Sequence, residues 1–188
     1  MSTRDVAILV ILVLVIVIAI LVVVSARRRR SKRLLHDQLG PEYDRTVQAM
    51  GGEKKAQTEL EERRKHVEAL DIRPLSASER ERCLADWTAA QSRFVDEPGQ
   101  AIGDADRLIM QVMQKRAYPV SDFEQRAADI SVIYPGLVSN YRAARAIAVK
   151  NEGHQADTEE LRKAMIHYRS LLEGLLETET VVVKETQI

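Results

Sequence analysis

The stretch VAILVILVLVIVIAILVVV occupies residues 6–24 and is an apolar run of 19 residues without charge, glycine or proline. As a helix it would be about 28 Å long at ~1.5 Å per residue, which matches the hydrocarbon thickness of a bilayer. Valine and isoleucine favour strands in water, but in lipid the backbone must satisfy its own hydrogen bonds, which favours a helix. The sequence therefore predicts one transmembrane helix from Val6 to Val24.

The segments that flank this run predict its orientation. MSTRD precedes it with balanced charge, whereas ARRRRSKR follows it. Because basic residues stay cytoplasmic, we expect a single-pass protein of the cell membrane with its N-terminus outside and its C-terminal domain in the cytoplasm. The alternative is a signal peptide cleaved near Ala26. That alternative is disfavoured because the apolar run is long and its positive charge follows it.

The basic block Arg27–Arg33 has two interpretations that are compatible with each other. It is a topology signal, and it can also bind anionic lipid headgroups, at about 1 kcal/mol per basic residue near the surface. We therefore treat residues 1–33 as an anchor with a basic juxtamembrane block.

Charge and cysteine content exclude several classes of protein. The chain has 28 basic and 28 acidic side chains, and residues 1–33 hold seven basic groups and one acid, which leaves 21 basic and 27 acidic groups in residues 34–188. A mildly acidic domain is a poor nucleic-acid partner. Cys83 is the only cysteine, which excludes an internal disulfide and a multi-cysteine zinc site. We expect Cys83 to be a small core residue rather than a nucleophile.

Residues 34–72 are predicted to form a short membrane-proximal helix and a charged stalk helix. Pro41 can open a helix to Met50, and Gly51-Gly52 ends it. Glu53–Leu70 is highly charged and has only a narrow apolar stripe, formed by Ala56, Leu60, Val67 and Leu70. Such a stripe is typical of a stalk that pairs as a coiled coil, or of a helix lying on another element.

Residues 73–178 are predicted to form a bundle of about five helices, because prolines and glycines divide the segment into helical pieces. The expected helix starts are Ser76 or Ser78, a Ser121–Glu124 capping box, and Asp157 with Glu160. The expected core residues recur at helical spacing: Leu84, Trp87, Gln91 or Ala90, Phe94, Leu108, Ile109, Val112, Met113, Leu137, Tyr141, Ala144, Ala148, Leu161, Met165, Tyr168, Leu172 and Leu175. Residues 179–188 are predicted to be a flexible tail. The predicted fold class is all-α, with a transmembrane helix, a stalk and a bundle.

Four runs in the second half of the chain carry a resemblance: RPLSASERER (73–82), YPVSDFEQRAADISVIYP (118–135), NYRAARAIA (140–148) and TEELRKAMIHYRSLL (158–172). In these runs the chain resembles a family of uncharacterised bacterial membrane-anchored helical proteins. The resemblance implies a bacterial source and the same layout of one N-terminal span and a helical C-terminal domain. It implies no activity, and no functional residue is carried over from it.

The candidate sites favour structural interpretations. His36, His66, His154 and His167 fit no metal motif, and the scattered Arg142, Arg145, Arg162, Lys163 and Arg169 are offset by acids and lack interleaved aromatic residues. The densest cluster of functional groups is Asp122, Glu124, Gln125, Arg126 and Asp129. It could serve acid/base chemistry, but capping and ion pairing explain it better. We therefore predict no catalytic, cofactor-binding or metal-ligating residue.

These observations predict a membrane-tethered cytoplasmic protein-interaction module with a protein partner, no nucleic acid and no catalytic activity. One alternative is a lipid- or envelope-associated factor that acts through Arg27–Arg33. The other is an enzyme whose site assembles from scattered residues, with Asp122–Asp129 as the first region to inspect.

Overall fold

A computed structural model describes residues 39–177, and within them the chain forms seven α-helices and no strand. The helices are α1 (Pro41–Met50), α2 (Glu53–Glu68), α3 (Ala77–Arg93), α4 (Pro98–Lys115), α5 (Phe123–Ile133), α6 (Pro135–Glu152) and α7 (Thr158–Glu177). The prediction of an all-α fold is confirmed for this part of the chain.

The predicted membrane anchor is not tested by these helices. Between residues 39 and 177, no helix combines the length and the apolar character that crossing a bilayer requires. The predicted span Val6–Val24, the basic block Arg27–Arg33, His36 and the predicted tail all lie outside the described residues.

The helices begin where proline or a capping side chain allows. Proline opens α1, α4 and α6, where its missing N–H costs no intrahelical hydrogen bond. Ser76 caps α3, because its hydroxyl accepts the Glu79 N–H at 3.3 Å while the Glu79 carboxylate accepts the Ser76 N–H at 2.8 Å. Asp157 and Glu160 form the same reciprocal pair before α7. These two predicted helix starts are confirmed.

The predicted capping box at Ser121 and Glu124 is wrong by one residue. Asp122 has extended backbone angles, and its carboxylate accepts the Gln125 N–H at 2.9 Å, so Asp122 caps α5. The Ser121 hydroxyl donates to the Asp122 carboxylate instead, at 3.4 Å. Glu124 is therefore not needed for capping and is available for contacts with other helices.

The main core lies where α7 packs along α6 and α4, with α3 against α4 and α5 against α6. Its largest fully buried side chains include Tyr141, Tyr168 and Ile109. The predicted faces of α4 and α7 are confirmed. On α3 the prediction of Leu84 is wrong: Leu84 is 47% exposed, and Cys83 takes the core position, one helical turn before Trp87.

The segment α1–α2, called the hairpin below, packs around its own small apolar cluster. Leu39, Tyr43 and Leu60 form that cluster, separate from the main core. The hairpin lies on the bundle through α2 against α5 and α1 against α6. Ala56 and Val67, on the predicted stripe, are buried. The highly charged α2 is therefore a helix lying on another element and not a free stalk, and its apolar stripe is already covered within the chain rather than open for a coiled coil.

Candidate functional site

The hairpin meets the bundle through a buried carboxylate. Glu42 of α1 is only 4% exposed, yet it binds guanidinium groups from two other helices. Arg142 of α6 donates to both of its oxygens, at 3.1 and 3.2 Å, and Arg63 of α2 donates at 3.3 Å. Burial alone would lower the pKa of Arg142, but its hydrogen bonds to Glu42 and Glu124 outweigh burial and raise it. The Glu42 charge is thus compensated from both sides.

A second, exposed carboxylate continues this contact at the surface. Glu124 accepts hydrogen bonds from Arg142 at 2.7 Å and from Arg45 of α1 at 3.3 Å. Its side chain is 65% exposed and that of Arg45 is 46% exposed. Water therefore screens the Arg45–Glu124 pair, and exposed pairs of this kind contribute about 0–1 kcal/mol.

These side chains border an open groove of about 640 Å³ between the hairpin and the bundle. The groove is lined by Arg45, Phe123, Glu124, Arg142, Arg145, Ala146 and Val149. The Arg142 guanidinium lies over the Phe123 ring, 5.8 Å from its centroid, and Val149 is 49% exposed. The groove thus combines an apolar surface with three arginines and one glutamate. We call it the arginine groove.

Two buried polar side chains, Asp106 and Tyr168, hold one of these arginines in position. Arg145 donates to Asp106 of α4 at 3.1 Å, and the hydroxyl of Tyr168 of α7 donates to the other Asp106 oxygen at 2.8 Å. Burial and the negative charge of Asp106 raise the pKa of Tyr168, so its hydroxyl remains a proton donor. Arg145 is therefore held at the groove by the core of the bundle.

Asp129 of α5 is fully buried at the contact between α5 and α2. One of its oxygens accepts a hydrogen bond from Gln125 at 2.8 Å and lies 3.6 Å from Nε2 of His66 on α2. The other oxygen has no hydrogen-bond partner among the described residues. Burial raises the pKa of Asp129, although the Gln125 hydrogen bond and the nearby positive groups act against it.

The predicted acid/base cluster on α5 divides into separate contacts. Asp122 caps the helix, Glu124 reaches the arginine groove, and Gln125 binds Asp129. Arg126 is buried and donates to the Tyr141 hydroxyl at 2.9 Å. Of these five side chains only Glu124 lines the arginine groove, so they do not surround one reacting point there.

The remaining candidate residues have structural positions. Cys83 is fully buried, as predicted, and burial raises the pKa of its thiol. His154 is exposed and His167 lies half-buried on α7. Among residues 39–177, no group of three or more histidine, cysteine or acidic side chains is placed to hold a metal ion.

Comparisons of this chain with protein-family models, with curated proteins and with solved structures find no match. The resemblance to bacterial membrane-anchored proteins therefore stays a prediction. No sequence pattern indicated a role for Glu42 or Arg63, and Arg142 and Arg145 stood out only as scattered charges. Their spacing of three residues on α6 was the one available signal, because it places both on the same face of the helix.

Proposed function

We propose that this protein is a membrane-tethered, cytoplasmic protein-interaction module without catalytic activity, anchored by Val6–Val24. The observation that carries the proposal is the arginine groove. Its exposed Val149 and Ala146 lie beside arginines that the fold holds in place. Hot spots of protein interfaces combine apolar contact with arginine in this way.

The chemistry of the groove favours one kind of partner, a segment that carries carboxylates next to an apolar side chain. The apolar side chain would cover Val149, and the carboxylates would bind Arg45 and Arg142. Glu124 is the only acidic residue in the lining, against three arginines. It already occupies the positions that a partner's carboxylate would take, so we expect the partner to displace it.

Tethering to the membrane supports such a role. Confinement near the inner face raises the effective concentration of the module for partners that are held there. The basic block Arg27–Arg33 supports a second candidate function, the binding of anionic lipid headgroups, because clustered arginines next to a span favour an acidic membrane surface.

In-cell crosslinking of the full-length chain tests the proposal. We compare the wild type with Val149→Asp in the groove. The matched control is Ile166→Asp, because Ile166 is also an exposed aliphatic residue, 57% exposed, but lies on α7 outside the groove lining. We expect a defined partner that is captured by the wild type and by the control and is lost with Val149→Asp.

The Glu124→Gln variant sharpens this test. It removes the carboxylate that competes with the partner, so capture of the same partner should increase. The proposal is overturned if the two aspartate variants capture the partner equally, or if Glu124→Gln abolishes its capture.

A further inference from the structure

The contact between α2 and α5 contains a buried acid with incomplete hydrogen bonding. Asp129 is 0% exposed, and one of its oxygens has no partner within residues 39–177. An ionised carboxylate in such a place is costly unless a positive charge lies near it. His66 is the only basic side chain in an ion-pair contact with Asp129 among the described residues, and it is charged only when protonated.

We propose that the hairpin is a proton-sensitive strap whose attachment to α5 is tighter when His66 is protonated. The inference goes beyond the proposed function and does not depend on it. It rests on the His66–Asp129 contact, and on the small apolar cluster of the hairpin, which is separate from the main core.

The other groups around this contact do not replace His66. Arg63 of α2 acts on Asp129 only at longer range and binds Glu42 and Glu59 directly. On α5, Gln125 donates one hydrogen bond, and the negative charge of Asp122 opposes ionisation.

The remaining neighbours belong to the loop before α5 and to α2 itself. Tyr118, whose pKa is raised chiefly by burial and to a smaller extent by the Asp129 charge, contributes no positive charge. On α2, Glu62 lies one turn before His66 and is exposed. No α6 side chain is hydrogen bonded to or ion-paired with Asp129 in the described part of the chain.

The direction of the effect follows from these charges. When His66 is neutral, the buried Asp129 carboxylate has no positive charge in an ion-pair contact with it among the described residues. The hairpin should then loosen. At lower pH the Asp129 carboxyl group itself takes up a proton, so no buried charge needs to be compensated. We therefore expect the hairpin to loosen as the pH rises and not as it falls. Because Arg45 of the hairpin forms one wall of the arginine groove, loosening also opens the groove.

Hydrogen exchange of the full-length chain in detergent micelles tests this proposal. Protection factors of α2 amides, corrected for intrinsic exchange rates, are compared at pH 6 and pH 8. We expect them to be about twofold to fivefold higher at pH 6, the range for a partly exposed ion pair. Amides of α7, which lies in the main core, serve as the internal reference and should not follow this change.

Three variants decide the interpretation. His66→Gln keeps a hydrogen-bond donor that does not titrate, and Asp129→Asn removes the buried charge, so each should abolish the difference between the two pH values. His167→Gln, which changes a histidine on α7, is the matched control and should keep the difference. The proposal is wrong if wild-type α2 is protected equally at both pH values, or if His66→Gln retains the wild-type dependence.

Discussion

Replacing Glu42 by glutamine should weaken the attachment of the hairpin to the bundle without unfolding the bundle. Glu42 joins α1 to Arg142, which lies 100 residues later in the chain, and to Arg63 of α2. The Glu42→Gln change keeps the size of the side chain and one acceptor oxygen but removes the charge. Two guanidinium groups then remain at the contact without their shared carboxylate.

The exposure of the three side chains sets the magnitude. The side chain of Glu42 is 3% exposed, whereas those of Arg63 and Arg142 are 15% and 16% exposed. Breaking a fully buried pair costs about 3–5 kcal/mol, and exposed pairs contribute about 0–1 kcal/mol. The arginines lie closer to the buried case, but they retain some access to water and one acceptor. We therefore expect a loss of about 2 kcal/mol in the free energy of hairpin opening.

Hydrogen exchange and fluorescence separate local opening from global unfolding. A loss of about 2 kcal/mol corresponds to roughly 30-fold faster exchange of α1 and α2 amides, since about 1.4 kcal/mol is a factor of ten. Trp87, the only tryptophan, lies in the main core. Its fluorescence in urea reports the bundle, so its unfolding midpoint should change little. A double-mutant cycle with Arg142→Met should show a coupling of about 1–2 kcal/mol.

Two results would refute this reasoning. A change of less than threefold in hairpin exchange would show that the Glu42 contacts contribute no more than an exposed ion pair. The second result is a loss of the full ~2 kcal/mol in the free energy of unfolding measured by Trp87 fluorescence, a loss that we expect only for hairpin opening. It would show that the hairpin and the bundle unfold as one cooperative unit, so the hairpin could not open by itself.

Three further predictions follow from single residues. Ala117, at φ 67°, adopts a left-handed conformation that glycine tolerates better, so Ala117→Gly should stabilise the protein by about 0.5–1 kcal/mol in thermal denaturation. Burial raises the pKa of Asp129 above its ordinary value of 3.8, so the folded state favours the protonated carboxyl group. The free energy of unfolding in urea should therefore fall as the pH rises from 3.8 through the raised pKa, and Asp129→Asn should remove this pH dependence. Cys83 is buried and the pKa of its thiol is raised, so a thiol reagent should label it only at the rate at which the bundle unfolds, and faster labelling would contradict its position.

Much of the fold of residues 39–177 follows from local signals in the sequence. Helical periodicity predicted the inner faces of α4 and α7, and the Asp157–Glu160 pair predicted the start of α7, because these signals act within a few residues. The errors arose where two neighbouring residues offered the same signal. Cys83 and Leu84 both fit a helical repeat with Trp87, and packing selected the less hydrophobic one. Ser121 and Asp122 can both cap a helix, and the carboxylate of Asp122 does so.

The contacts of the candidate site could not be predicted in this way. Glu42 and Arg142 meet because α1 lies against α6, and no local pattern states which charged residues of a chain become neighbours. For the same reason, the narrow apolar stripe of α2 did not predict which element this helix packs against. Its three buried residues fit a stalk as well as a docked helix, and the difference is decided by the packing of α2 against α1 and α5.

The charged side chains between the hairpin and the bundle link the proposed binding in the arginine groove to the proposed pH-dependent attachment of the hairpin. Arg45 belongs to the hairpin, Arg142 belongs to the bundle, and Glu124 bridges them in the groove. A partner carboxylate that displaces Glu124 would remove this bridge while the buried Glu42 contacts remain. Binding in the groove and attachment of the hairpin then share one set of arginines, so each must change the free energy of the other by the same amount. A hairpin loosened by the loss of the His66 proton should therefore alter the affinity of the groove, and a bound partner should shift the pH at which the hairpin loosens.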